Sequence, residues 1–296
     1  MLIGKESVVE MAAVALICQG HVLVEDVPGL GKTMLVKGLA RSLGCKFSRI
    51  QFTPDLLPSD VVGVQVYNQK TMEFQYRPGP VMANIVLADE INRTSPKTQS
   101  SLLEAMEEHQ LTVDGETRPL PEPFMVLATQ NPIEYEGTFP LPEAQLDRFL
   151  LRLQIGYPSP QHEVEIIRTQ EHGKHPLDNL QQVLSIDELQ SIQKEAANVT
   201  LSDSLAAYIV ELCNRTRSNS SLYLGASPRG ALGLARTAKA LAWLRGRDYV
   251  LPDDIKTMAV PVLAHRVILN PEEKLQGQTA QDVIRKIINT VAVPTQ

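Results

Sequence analysis

The run Asp26-Val27-Pro28-Gly29-Leu30-Gly31-Lys32-Thr33 contains the residue types that a phosphate site needs. Glycines let the backbone turn its amides inward, a lysine can reach β- and γ-phosphates, and a threonine hydroxyl can meet Mg²⁺. The strict form of such a loop has Gly where this chain has Asp26. Aspartate tolerates left-handed backbone better than most side chains, so the loop is expected to turn there all the same. A Gly-rich turn that merely ends in Gly-Lys-Thr would read alike, so a second element must decide. Ile85-Val86-Leu87-Ala88-Asp89-Glu90 is an apolar run ending in two acids. Asp89 would complete a magnesium shell, and Glu90 would polarise an attacking water. Beside a phosphate loop, that pair points to ATP hydrolysis.

Three further polar residues fit the same chemistry. Asn131 follows the apolar run 124–128, where its amide would meet both a γ-phosphate and the water. An Asn starting a turn before Pro132 would read the same way. Arg148, in Gln145-Leu146-Asp147-Arg148-Phe149, is placed either to pair with Asp147 or to act as an arginine finger on a neighbouring subunit's nucleotide. An exposed pair of the first kind is worth at most about 1 kcal/mol. Arg229 follows Ser227-Pro228, which has the form of a helix N-cap and first helical position. A cation there opposes the helix dipole, as expected of a residue placed for an anion.

The elements that position these residues alternate in type. Short β-rich runs at 21–25, 47–52, 85–88, 124–128 and 149–155 are interleaved with helical stretches such as 32–43. Such alternation implies a parallel sheet covered by helices. Two hairpins are expected within this part, at 64–76 and at 110–119, the second on its Asp114-Gly115 turn. Pro158-Ser159-Pro160 reads as a stiff extended linker. Beyond it, helical patterns cover 161–171, 186–197, 204–215, 228–245, 252–265 and 280–289. The expected architecture is an α/β nucleotide-binding core over 1–157 followed by a helical domain over 158–296.

Several of these motifs together resemble the MoxR branch of the AAA+ ATPases. They are Asp89-Glu90-Ile91-Asn92-Arg93, Pro96-Lys97-Thr98-Gln99, Leu102 through Glu108, Ala128 through Glu134, and Gly137 through Phe149. The match runs from Ile3 to about Pro158, and more loosely through Ser227-Pro228-Arg229. The resemblance implies an αβα P-loop core with a five-stranded parallel sheet in the order 5-1-4-3-2, an all-α lid, and a homo-oligomeric ring, commonly a hexamer. It assigns Lys32 and Thr33 to Walker A, Asp89 and Glu90 to Walker B, and Asn131 to sensor 1. By it, Arg148 becomes the finger acting in trans and Arg229 becomes sensor 2. It puts Ile3 and Gly4 near the adenine and ATP with Mg²⁺ in the site. It further implies chaperone-like work on protein complexes, with partners that carry von Willebrand factor A domains.

Composition limits the other classes. The chain has 296 residues, with 28 Lys+Arg against 34 Asp+Glu and a net charge of −6. This acidity disfavours a dedicated nucleic-acid binder, which normally carries a basic stripe. The residues leave open a DNA-dependent AAA+ motor and a nucleotide-gated scaffold without turnover. Three cysteines, far apart and without a CxxC pair, indicate neither zinc nor a disulfide framework. The apolar run 11–18 is too short to span a bilayer and follows Glu6 and Glu10, so it reads as a buried helix face in a cytoplasmic protein. His172 and His175 lack a supporting ligand cluster, and Glu104, Glu107 and Glu108 read as a solvated helix face.

Overall fold

The computed structural model describes residues 2–27, 29–131, 137–170 and 177–294. The chain divides into two compact units. One comprises Met1–Ala12, His21–Leu141 and Leu153–Leu189, and the other Ala13–Gly20, Pro142–Arg152 and Gln190–Gln296.

In chain order the elements begin α1 (Glu6–Ile17), β1 (Val22–Glu25), α2 (Lys32–Ser42), β2 (Phe47–Gln51) and α3 (Pro58–Val62). There follow β3 (Gly63–Asn68), β4 (Glu73–Pro78), β5 (Ile85–Asp89), a 3₁₀ turn at Ile91–Arg93 and α4 (Pro96–Glu108). Next come β6 (Gln110–Val113), β7 (Glu116–Pro119), β8 (Met125–Gln130), α5 (Glu143–Leu146), β9 (Leu151–Leu153) and α6 (Pro160–Gln170).

Five strands form a single sheet in the order β2-β5-β8-β1-β9. Renumbered among themselves and read from the β9 edge, they run 5-1-4-3-2, the order that the resemblance implies. Strand β5 pairs in parallel with β2 (Gln51 opposite Asp89) and with β8 (Ala88 opposite Ala128). Strand β1 pairs in parallel with β8, Glu25 opposite Gln130. The first four residues of β5 and the first five of β8 are buried, as expected for strands covered on both faces. Burial relaxes only at their carboxyl ends, at Asp89 and Gln130. In open α/β sheets those ends are where ligands bind.

Both expected hairpins form. Strands β3 and β4 pair antiparallel, as do β6 and β7. Asp114 and Gly115 have φ of +52° and +83°, the positive values that a tight hairpin turn requires. The β3–β4 hairpin leaves Met72 and Phe74 exposed. Helix α6 begins at Pro160, one residue inside the expected linker, because proline's fixed φ suits the first helical position.

The remaining elements are α7 (Ile186–Ala197), α8 (Asp203–Arg217), β10 (Leu222–Leu224), α9 (Pro228–Leu244) and α10 (Pro252–Leu263). After these come β11 (Ile268–Leu269), α11 (Pro271–Leu275) and α12 (Ala280–Thr290). In the second unit, Leu234 and Leu241 of α9, Met258 and Val262 of α10, and Ile284 of α12 are at most 1% exposed and make its core. Gly230 and Gly233 face Leu263 and Val262, so α9 presents little bulk where α10 lies against it. Strands β10 and β11 form a small antiparallel pair that the helical patterning did not indicate.

Candidate active site

A cavity of about 280 Å³ opens within the first unit. It is lined by Asp26, Gly29 and Gly31 from the loop, Lys32 and Thr33 at the start of α2, Arg49 and Gln51 from β2, Asp89 of β5 with Glu90 just after it, and Thr129 of β8 with Asn131 just past its end. Eight of the residues read from the sequence as nucleotide ligands or catalysts, Asp26 and Asn131 among them, therefore meet in one place. Pro28 lies outside the described residues, as do His172 and His175.

Strand β1 delivers the chain to this loop. Gly29 and Gly31 have φ of +89° and +84°, so they supply the left-handed turns. Gly31 occupies the N-cap of α2, and no side chain among the described residues caps that helix. Its first amides and the positive end of its dipole are thus directed at an anion. Asp26 behaves differently from the expectation. It is not one of the positive-φ residues, and the turning is done by the two glycines. Its backbone amide extends the β1–β8 ladder by donating to the Gln130 carbonyl at 3.1 Å. Its Oδ2 accepts from the amides of Ile155 (2.5 Å) and Gly156 (2.8 Å). The carboxylate is a tie between the loop and the segment after β9.

Lys32 Nζ donates to the Asp26 carbonyl at 2.5 Å. Partial burial pulls the Lys32 pKa below the ordinary lysine value, while the charges of Asp26, Asp89 and Glu90 oppose that shift. Val27 and Leu30 are half-buried within the loop. Leu2 approaches the same loop, since a Cβ built on Gly31 would lie 3.0 Å from its Cδ2. Next to it, Ile3 is half-buried and Gly4 has φ of +68°, with the His162 ring packed where a side chain would project. Lys5 then closes the neighbourhood by donating to the carbonyls of Ile155 (2.7 Å) and Tyr157 (3.0 Å). Chain segments 2–5, 26–33 and 155–162 are thereby tied together around the loop whose residues line the cavity.

The two acids are held by side chains that motif reading did not single out. Thr129, 1% exposed, donates its hydroxyl to Asp89 Oδ1 at 2.7 Å and accepts from the Glu90 amide at 2.8 Å. Glu90 has φ of +57°, rare for a glutamate and typical of a residue held by its surroundings for function. Its Oε2 accepts from Gln51 Nε2 (3.0 Å) and from Arg93 (2.9 Å). Arg49 donates to Asp89 Oδ2 at 2.6 Å. Arg49 and Gln51 are two apart on β2, so strand alternation sends both to the face above the acids while Ile50 is buried on the other. Parallel register is what brings Gln51 beside Asp89; the strand order that the resemblance implies makes these two strands neighbours without saying which side chains meet.

Arg148 and Arg229 belong to the second unit. Arg148 directly follows Asp147, the C-cap of α5. Arg229 is exposed in the first turn of α9, with Ser227 at the N-cap and Pro228 first in the helix, as expected. The Ser227 hydroxyl, however, makes no capping bond among the described residues. Glu104, Glu107 and Glu108 are exposed along α4. Among the described residues no helix is long and apolar enough to cross a membrane.

A family model described as "ATPase family associated with various cellular activities (AAA)" matches residues 21–151, and one described as "AAA lid domain" matches 214–287. Over its full length the chain is 56% identical to the uncharacterized protein YeaC of Bacillus subtilis, of which it covers 92%. It is 45% identical, over 99% of its length, to Chaperone MoxR1 of Mycobacterium tuberculosis, of which it covers 80%. A crystal structure of a Cytophaga hutchinsonii protein superposes with a TM-score of 0.93 at 42% identity, covering 99% of this chain and 92% of that one. Added to the phosphate loop, the paired acids and the strand order, these matches along nearly the whole chain make it a member of the MoxR family of AAA+ ATPases.

Proposed function

We propose that this chain hydrolyses ATP to ADP and phosphate at the subunit interfaces of a homo-oligomeric ring, and couples that turnover to remodelling, assembly or activation of protein complexes. The observation that carries the proposal is the single cavity in which Lys32, Thr33, Asp89, Glu90 and Asn131 meet. The residues suit the groups they would hold. The glycine turns and uncapped start of α2 suit a polyphosphate. Thr33 and Asp89 are the hard oxygen donors that Mg²⁺ prefers. The ion, when bound, neutralises phosphate charge.

The roles we assign follow from chemistry at each position. Lys32 and the loop amides bind the β- and γ-phosphates, and Asp26 keeps that loop tied to residues 155–156. Ile3 and Gly4 flank the adenine. Glu90 orients and deprotonates water, with Gln51 and Arg93 setting the direction of its carboxylate. Asn131 contacts water and γ-phosphate. Arg148 acts on a neighbouring subunit's nucleotide and Arg229 on the γ-phosphate. We take 1–157 as the nucleotide-binding core and 158–296 as the lid. Extending the same resemblance, we place the protein in the cytoplasm in a hexameric ring. Its partners would then carry von Willebrand factor A domains, and the exposed β3–β4 hairpin offers a contact surface for them.

The test is phosphate release under multiple turnover. Glu90→Gln should bind ATP normally yet lose about 10²-fold or more in turnover, the usual worth of a positioned base. Wild-type specific activity should rise with protein concentration, and Arg148→Ala should abolish that rise. Undiminished turnover in Glu90→Gln would remove Glu90 as the base. Concentration-independent activity untouched by Arg148→Ala would remove the interface site. ATP binding without any phosphate release would make the chain a nucleotide-gated scaffold.

A further inference from the structure

We propose that Arg266 is a positioning residue for Arg148: a buried guanidinium around which the segment carrying that arginine is folded. The inference rests on the reading of Arg148 as a cation that acts on nucleotide.

The Arg266 side chain is 3% exposed, although it carries a full charge. Such a cation is tolerated only when paired and fully hydrogen-bonded. All of its N–H groups find acceptors. Nε donates to Asp147 Oδ1 at 2.7 Å. One Nη donates to the Leu150 carbonyl at 3.1 Å and to the Val262 carbonyl. The other donates to the carbonyls of Asp147 (3.3 Å) and Phe149 (2.7 Å). Only Val262 belongs to the helix that precedes Arg266. Every other acceptor lies in Asp147, Phe149 or Leu150, on both sides of Arg148.

Neighbouring contacts strengthen this arrangement. His265 Nε2 meets the same Phe149 carbonyl at 2.9 Å. The Arg148 amide donates to the Gln145 carbonyl at 3.2 Å, closing the turn at the end of α5. Phe149, 0% exposed, anchors the side that follows. The backbone at 148 is therefore held from before and after, while its side chain stays half-buried. The second Asp147 oxygen lies 3.9 Å from Arg229 Nε, so one carboxylate serves both the segment carrying Arg148 and the start of α9. Lysine cannot replace Arg266 here, because its three donors radiate from one nitrogen and lack the planar fork.

The experiment is a double-mutant cycle on the full chain, measuring kcat and KM for ATP by phosphate release. Arg266→Lys and Asp147→Asn are each made in the wild-type and Arg148→Ala backgrounds. Each change alone should lower kcat about 10- to 100-fold, the effect of a small misplacement of a catalytic group, with KM for ATP altered less than about twofold. On the Arg148→Ala background neither should lower kcat further by more than about twofold, because residues that act as a unit are non-additive. Full additivity, or unchanged kcat in both variants, overturns the inference while leaving Arg148 in its role. Unchanged kcat in Arg148→Ala overturns the reading of Arg148 and this inference with it. If melting shows that Arg266→Lys does not fold, the Asp147→Asn cycle decides on the same criterion.

Discussion

Thr129 shows how much of the site rests on a residue with no chemistry of its own. Its hydroxyl bridges Asp89 Oδ1 and the Glu90 amide, and its side chain is buried. Thr129→Val keeps the shape and leaves both groups without that partner, a loss of about 1–3 kcal/mol for buried polar atoms. The expected outcome is a lower urea midpoint together with a fall in kcat, and recovery of both in Thr129→Ser. A valine variant with wild-type kcat would show that the acids hold themselves. Asp89 and Glu90 were legible in sequence because two acids ending an apolar run accompany a phosphate loop, although such a strand end is ordinary by itself. Thr129 was not, because a threonine in a strand is ordinary and gains its meaning only from lying beside β5.

At the scale of elements, the loop between β1 and α2 needs its glycines for conformation and Asp26 for attachment. The sequence-based expectation put Asp26 at a turning position, whereas its carboxylate in fact accepts from Ile155 and Gly156. That tie spans some 129 residues of chain, and local propensity carries no information about it. We expect Asp26→Ala to weaken ATP binding about tenfold and to destabilise the protein by about 1–3 kcal/mol, since two amides lose their acceptor. Isothermal titration and urea unfolding would check this, and an unchanged Kd would show that the loop is set by its glycines alone. Elements whose signal is local were read almost to the residue: α7 at Ile186–Ala197, the hairpin on Asp114-Gly115, and α2 opening after Gly31. The pair β10–β11, with two strands of two or three residues, was too short to leave a period in the sequence.

Across the whole molecule, each unit contains a buried neutral histidine. In the first, His21 Nε2 donates to the Met106 carbonyl and Nδ1 accepts from the Val126 amide, both at 3.0 Å. Burial lowers its pKa to about 4, with the Met106 bond opposing that shift. In the second, burial takes His265 well below the ordinary histidine value, and the charge of Arg266 adds to that effect. The sign follows from linkage. Between about pH 6.5 and 4 the unfolded His21 binds a proton that the folded one refuses, so its stabilisation is complete above 6.5 and is lost as pH falls. At pH 5 that loss amounts to about 2 kcal/mol for His21 alone. Urea midpoints should therefore drop between pH 7 and pH 5, and His21→Gln should flatten part of the drop. A midpoint that does not move over that range would contradict the neutral assignment.

What the sequence by itself determined are the features written in contiguous residues. They include the phosphate loop, the acid pair, the alternation of strand and helix, and the run of motifs that identifies the family. Each depends on local backbone preference or on a single strand's burial, so each leaves a mark within a dozen residues. Tertiary structure alone decided which polar side chains hold those residues in place. Gln51 and Arg49 reach the acids through the β2–β5 register. Thr129 reaches them from β8, and Asp26 reaches residues 155–156 across the fold. Arg266 reaches Asp147 over a separation of 119 residues. The physical reason is common to all of them: a hydrogen bond between distant segments is specified by strand order and packing, and neither partner differs in type from dozens of polar residues that face only water.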